Sequence, residues 1–179
     1  MVPSFLELDG HEGYAQKYEG DGLIAFFLAV NEYMTATYIV ADCAIVMKLL
    51  IDEVLNSLLR ARNYRALRYR IGIDSGETQI VSLGADNIKS TPDVPNLLGY
   101  TANLAAKICR ACRPDQVLMG ETVYRSLHVT RKKHFKEERL PVQKWNFLDA
   151  TTNKIYPLFA LSTTRALGSL TEKDLARTG

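Results

Sequence analysis

Asp21 stands between Gly20 and Gly22, with runs suited to strands on either side, Gly13 to Tyr18 and Leu23 to Phe27. That is the composition of a β-hairpin whose tip carries one carboxylate. The glycines permit positive φ and close approach of a ligand, and the carboxylate offers hard oxygens of the kind that hold magnesium or manganese. The same tripeptide is also a common hairpin turn that binds nothing. Asn103 and Lys107, at a spacing of i, i+4, fall on one helix face, where Lys107 by itself reads as an ordinary exposed helix lysine. Asp74, before Ser75-Gly76, reads equally as a carboxylate supporting a metal and as a turn cap. Cys109 and Cys112 make a C-x-x-C pair inside a helical pattern, and no second pair completes a zinc site, so they read with Cys43 as free thiols.

These groups need elements to carry them. Phe5, Leu6 and Leu8, followed by Gly10 and Gly13, read as the end of a helix over residues 1–12. After the hairpin, Asn31 to Thr37 reads as a polar connection. Ala36 to Arg62 then reads as one long helix, with Ile39, Ala41, Ile45, Leu49, Val54, Leu55, Leu58 and Leu59 near the 3.6-residue period and with Asp42 and Asp52 in solvent. Arg68 to Asp74 and Glu77 to Leu83 alternate like two half-buried strands around Ser75-Gly76, a second hairpin. The stretch from Gly84 to Pro95 is too rich in turn residues to be regular throughout. A helix from Thr101 to Ala111, ended by Arg113-Pro114, turns Leu104, Ala105, Ile108 and Cys112 to the core. A strand over Gln116 to Met119, a helix over Glu121 to Leu127, and strands around Phe135 to Leu140 and Ile155 to Leu161 follow. Strand pairs alternating with helices, without a regular βαβ rhythm, indicate an α+β sandwich with a largely antiparallel sheet and flanking helices.

At 179 residues the chain suits one domain with a sizeable core. A net charge of +2, from 22 basic against 20 acidic residues, argues against a dedicated nucleic-acid binder. The basic run RKKHFK at 131–136 reads as a solvated strand or loop. Apolar runs such as LIAFFLAV fall far below the roughly 20 residues of a membrane span. The opening MVPSFLELDG lacks a secretory pattern, so a cytoplasmic setting is expected. Residues 162–179, without an apolar face, read as a flexible tail after a domain over 1–161.

Three ordered blocks, KYEGDGLIAFF, RIGIDSGETQIVSLG and LLGYTANLAAKICRACRPDQVLMGETVYRSL, resemble the class III adenylate and guanylate cyclase catalytic domain in order and spacing. The resemblance runs from about Gly13 to about Leu161. It implies the ferredoxin-like sandwich of that family, and formation of a 3′,5′-cyclic nucleotide and pyrophosphate from a nucleoside triphosphate, ATP ahead of GTP, with two magnesium or manganese ions. The family's first metal aspartate lies on a strand that nothing in residues 1–12 resembles, so the domain reads as N-terminally short.

Carried over residue by residue, the resemblance makes Asp21 the second metal aspartate. It makes Lys17 a reader of the base, where the residue alone would be a solvated strand lysine. Asn96 falls where adenylate cyclases have aspartate, and an asparagine can read an amine or a carbonyl, so base choice stays open. Asn103 matches the ribose-orienting asparagine. Lys107 stands where the family has a transition-state arginine, with the charge retained and the planar fork lost. Lys144 falls near the family's triphosphate-binding lysine. The resemblance also implies a head-to-tail homodimer, with Asp21 serving one site and the other residues its twin.

A catalytically idle cyclase-homology module that binds nucleotide or a partner chain is the rival reading, favoured by Lys107 and the missing aspartate. A pyrimidine nucleotide cyclase is a weaker one. A ferredoxin-like RNA binder lacks the aromatic signature such domains carry.

Overall fold

The computed structural model describes residues 6–8, 11–19, 22–28, 33–82 and 95–162. Three antiparallel strands open the chain: β1 (Leu6–Leu8), β2 (His11–Glu19) and β3 (Gly22–Phe27). The first hairpin is therefore present, with pairing carried to Glu19 opposite Gly22 and a bulge between Ala15 and Lys17. Its Asp21 tip lies outside the described residues. The helix expected over residues 1–12 is a strand instead where the chain is described: Leu6 pairs with Gly13 and Leu8 with His11. The alternation of Leu6 and Leu8 suits a strand once β2 offers an edge to pair with.

A four-stranded sheet forms the centre, in the order β4 (Arg70–Ile73), β7 (Gln116–Gly120), β9 (Leu158–Leu161), β8 (Phe135–Glu137). All five residues of β7 are buried, as expected of a strand covered on both faces. Its side chains alternate between two cores. Val117 and Met119 join Ala41, Ala44 and Ile45 of α1 (Tyr33–Leu49), while Leu118 joins Leu104 and Ile108 of α3 (Tyr100–Ala111). The helices thus cover opposite faces, and the α+β sandwich with flanking helices is what the chain forms.

The antiparallel character holds for most pairs, but β4 and β7 run parallel. The second expected hairpin does not form. β4 takes β7 as its neighbour, and β5 (Gln79–Ser82) pairs antiparallel with β6 (Pro95–Leu98) in a separate two-stranded sheet. Alternation marks both segments as strands but carries no information about which edge each will meet.

The long helix begins at Tyr33, before the expected Ala36, and no acidic residue in its first turn marks the start. It passes through a π-helical segment, Leu50–Leu55, into α2 (Asn56–Ala61). The wider turn shifts the phase of the apolar stripe. Val54, Leu55 and Leu58, expected to face the core, are consequently exposed, and buried Asn56 is fastened to the next loop by hydrogen bonds from its Nδ2 to the Leu67 carbonyl (3.1 Å) and from the Leu67 N–H to its Oδ1 (2.7 Å). Asp42 and Asp52 are not free in solvent. Asp42 accepts two-pronged hydrogen bonds from Arg131 (2.9 and 2.6 Å), and Asp52 accepts from Lys48 (2.6 Å) and the Tyr69 hydroxyl (3.2 Å). The basic run is likewise only partly solvated: Arg131 and Lys132 lie in the short α5 (Val129–Lys132), and Lys132 sits over the Tyr124 ring of α4 (Glu121–Ser126). Residues 163–179, expected as a tail, lie outside the described residues. No helix among the described residues is long and apolar enough to cross a membrane.

Candidate functional site

α3 carries Asn103 and Lys107, and a glycine sets its position. A Cβ at Gly72 of β4 would fall against the Cys109 backbone nitrogen and the Ala105 carbonyl, so the helix backbone can rest directly on the strand. Leu104, Ile108 and Ala111 are buried beneath the helix, while Asn103 and Lys107 face outward, exposed, one turn apart.

Lys144 comes from a distant loop that its neighbour holds down. Trp145 is buried among Leu104, Ile108 and Leu158, and its indole N–H donates to the Tyr156 carbonyl at 2.7 Å. Backbone N–H groups of Lys144 and Trp145 both donate to the Pro141 carbonyl (2.8 and 3.0 Å), closing the turn. With the tryptophan anchored, the Lys144 side chain stays exposed at the rim of a groove of about 480 Å³. Lys107 lines the same groove, together with Arg70, Arg110, Arg113, Trp145 and Phe147. Among the described residues the groove wall holds five cations and no carboxylate. Arg113 is paired with Glu138 at 2.9 Å, and the Lys107 ammonium lies 5.1 Å from the centre of the Phe147 ring.

The structure therefore brings Lys107 and Lys144 to one groove, with Asn103 a turn away on the same helix. Lys17 stands opposite Ile24 in β2 and Asn96 opposite Val81 in β6, and these two strands are in contact. Arg70, Arg110 and Arg113 were not singled out by sequence reasoning. A signal existed for Arg110, three residues after Lys107 on the same helix, but not for Arg113, past the helix end, or for Arg70 of β4.

Asp74 accepts from the Ser75 backbone, in keeping with a turn cap, and makes a long-range contact as well. Its Oδ1 accepts from the Tyr156 hydroxyl at 3.0 Å, and that hydroxyl also meets the Thr122 N–H (3.0 Å) and Oγ1 (2.8 Å). Burial pushes the Asp74 pKa up to about 6, against the opposing pull of hydrogen bonds from Ser75 and Tyr156. Burial likewise raises Tyr156, with Asp74 adding to it. Gly120 leaves the room, because a Cβ there would collide with Asp74 Oδ1 and the Tyr156 ring. The Tyr156 hydroxyl thus links Asp74, just after β4, to Thr122 at the start of α4.

Among the described residues no three His, Cys, Asp or Glu side chains come together as a metal site. Asp74 accepts from Ser75 and Tyr156, and Asp21 lies outside the described residues. The three cysteines are free, as expected. Burial raises the pKa of Cys109 and, to about 12, that of Cys112, which keeps both thiols protonated and poor metal ligands.

The family described as the adenylate and guanylate cyclase catalytic domain matches residues 7–146. Among solved structures, the adenylyl cyclase CyaB from P. aeruginosa is similar at 18% identity and a TM-score of 0.64, over 86% of this chain and 73% of that one. The guanylyl cyclase Cya2 is similar at 18% identity and a TM-score of 0.61, over 83% and 69% of the two chains. The catalytic core of a rhodopsin-guanylyl cyclase with converted specificity, in complex with ATPalphaS, is similar at 16% identity and 0.61, over 87% and 73%. At these identities the structural likeness speaks for the fold. No curated protein matches the chain significantly. With the family matched across most of its length and the fold shared with such domains, the chain belongs to the adenylate and guanylate cyclase catalytic domain family.

Proposed function

We propose that the chain is a nucleotide cyclase that converts a nucleoside triphosphate, ATP ahead of GTP, to a 3′,5′-cyclic nucleotide and pyrophosphate in intracellular signalling. One observation carries the reading: Lys107 and Lys144, from segments far apart in the chain, line one groove that among the described residues is rich in cations and free of carboxylates, one helical turn from Asn103. In the reaction the ribose 3′-oxygen bonds to the α-phosphorus, the α–β bridging P–O bond breaks, pyrophosphate leaves with its electron pair, and the hydroxyl proton passes to water. The protein's part is positioning and positive charge. Asn103 orients the ribose, while Lys107 and Lys144 neutralise the phosphates; Lys17 and Asn96 read the base. Magnesium or manganese, held by Asp21, would add charge at the phosphates when bound. The site is shared by two chains in a head-to-tail homodimer in the cytoplasm.

A second reading, the idle nucleotide-binding module, is favoured by the lysine at 107 and by its ammonium resting over Phe147. Incubating the full chain with each of the four nucleoside triphosphates and manganese, followed by mass spectrometry, separates the two. Cyclic product from ATP or GTP is the expected result; binding without product from any of the four would leave the idle module.

A further inference from the structure

We infer that Arg110 is the polyphosphate-gripping guanidinium of this site, in the position that Lys107 fills only as a point charge. The inference rests on the cyclase reading above. Asn103, Lys107 and Arg110 are spaced i, i+4, i+7, which makes one stripe along α3 covering about 10 Å of helix axis, the scale of a ribose with its polyphosphate. Arg110 is exposed and lines the same groove as Lys107 and Lys144. Its competitors there are otherwise engaged or otherwise placed. Arg113 is held by Glu138, the Lys107 ammonium lies over Phe147, and Arg70 comes from the strand beneath the helix and not from the stripe. Among the described residues no carboxylate pairs with Arg110, so its fork is free for an anion. A guanidinium presents two parallel N–H donors that match a pair of phosphate oxygens, which an ammonium cannot do. A helix reading that places lysine three residues before arginine on one side therefore keeps the charge and restores the fork one turn along.

The test is calorimetric binding of tripolyphosphate to the full chain and to four variants, with melting curves to verify folding. R110A and R110K each bind roughly tenfold more weakly than wild type, because both lose the fork. K107A loses less than either of them, and R65A, which removes an exposed arginine outside the groove lining, binds like wild type. No tripolyphosphate binding by wild type, wild-type affinity in R110A, full affinity in R110K, or a larger loss in K107A than in R110A would overturn the inference. The cyclic-product assay reports separately on the reaction: Arg110-dependent tripolyphosphate binding without product from any triphosphate defeats the cyclase reading and leaves the anion grip standing.

Discussion

Asp74 titrates near pH 6 because burial disfavours its charge, and this makes a single residue visible in the stability of the whole fold. The folded pKa lies above the unfolded value of 3.8, so between about pH 4 and 6 the native state binds the proton more readily than the unfolded chain. The contribution is fully present below that window and is lost as pH rises through about 6. Asp74→Asn keeps an acceptor for the Tyr156 hydroxyl and removes the charge. In urea unfolding, the variant should gain on wild type by on the order of 2 kcal/mol at pH 7.5, and the gain should shrink toward zero at pH 4.5. An equal difference at both pH values would assign the titration elsewhere. The sequence showed Asp74 only as a carboxylate beside a turn. Its partner Tyr156 is 82 residues away, and no local pattern links the two.

At the scale of elements, the seat of α3 on β4 depends on one hydrogen atom. Replacing it at Gly72 drives a methyl group into helix backbone, which cannot move aside without lifting Asn103 and Lys107 from their places. Gly72→Ala should destabilise the domain by about 2 kcal/mol or more. Gly76→Ala is the control, because the nearest obstacle there is the Thr101 hydroxyl, which can turn away, and its cost should stay within about 1 kcal/mol. Comparable urea midpoints for the two variants would show that the close packing of helix on strand is not what holds α3. The helix itself was legible almost to the residue, since Leu104, Ile108 and the Arg113-Pro114 stop are local signals. The phase shift at Leu50–Leu55 was not, because a π-helical turn leaves the composition of the helix unchanged and alters only which side its later residues face.

For the whole molecule, the sharpest consequence of the proposed head-to-tail arrangement is complementation. Asp21→Asn and Asn103→Ala should each abolish cyclic product alone, whereas an equimolar mixture should regain about a quarter of wild-type activity, because half the dimers are mixed and each mixed dimer has one intact site. Activity that stays absent in the mixture, measured as cyclic product with manganese, would rule out a site divided in this way. What the sequence alone determined was local. The hairpin around Gly20-Asp21-Gly22, the helix bearing Asn103 and Lys107 and the short strand at Gln116 follow from periods of two and 3.6 and from turn residues, which a chain displays without reference to its distant parts. Tertiary structure alone decided which segments meet. It paired β4 with β7 and not with β5, joined Asp42 to Arg131 across 89 residues, and closed Lys107, Arg110 and Lys144 around one groove. Periodicity tells which face of an element is apolar, but its neighbour is chosen by the packing of all the faces at once.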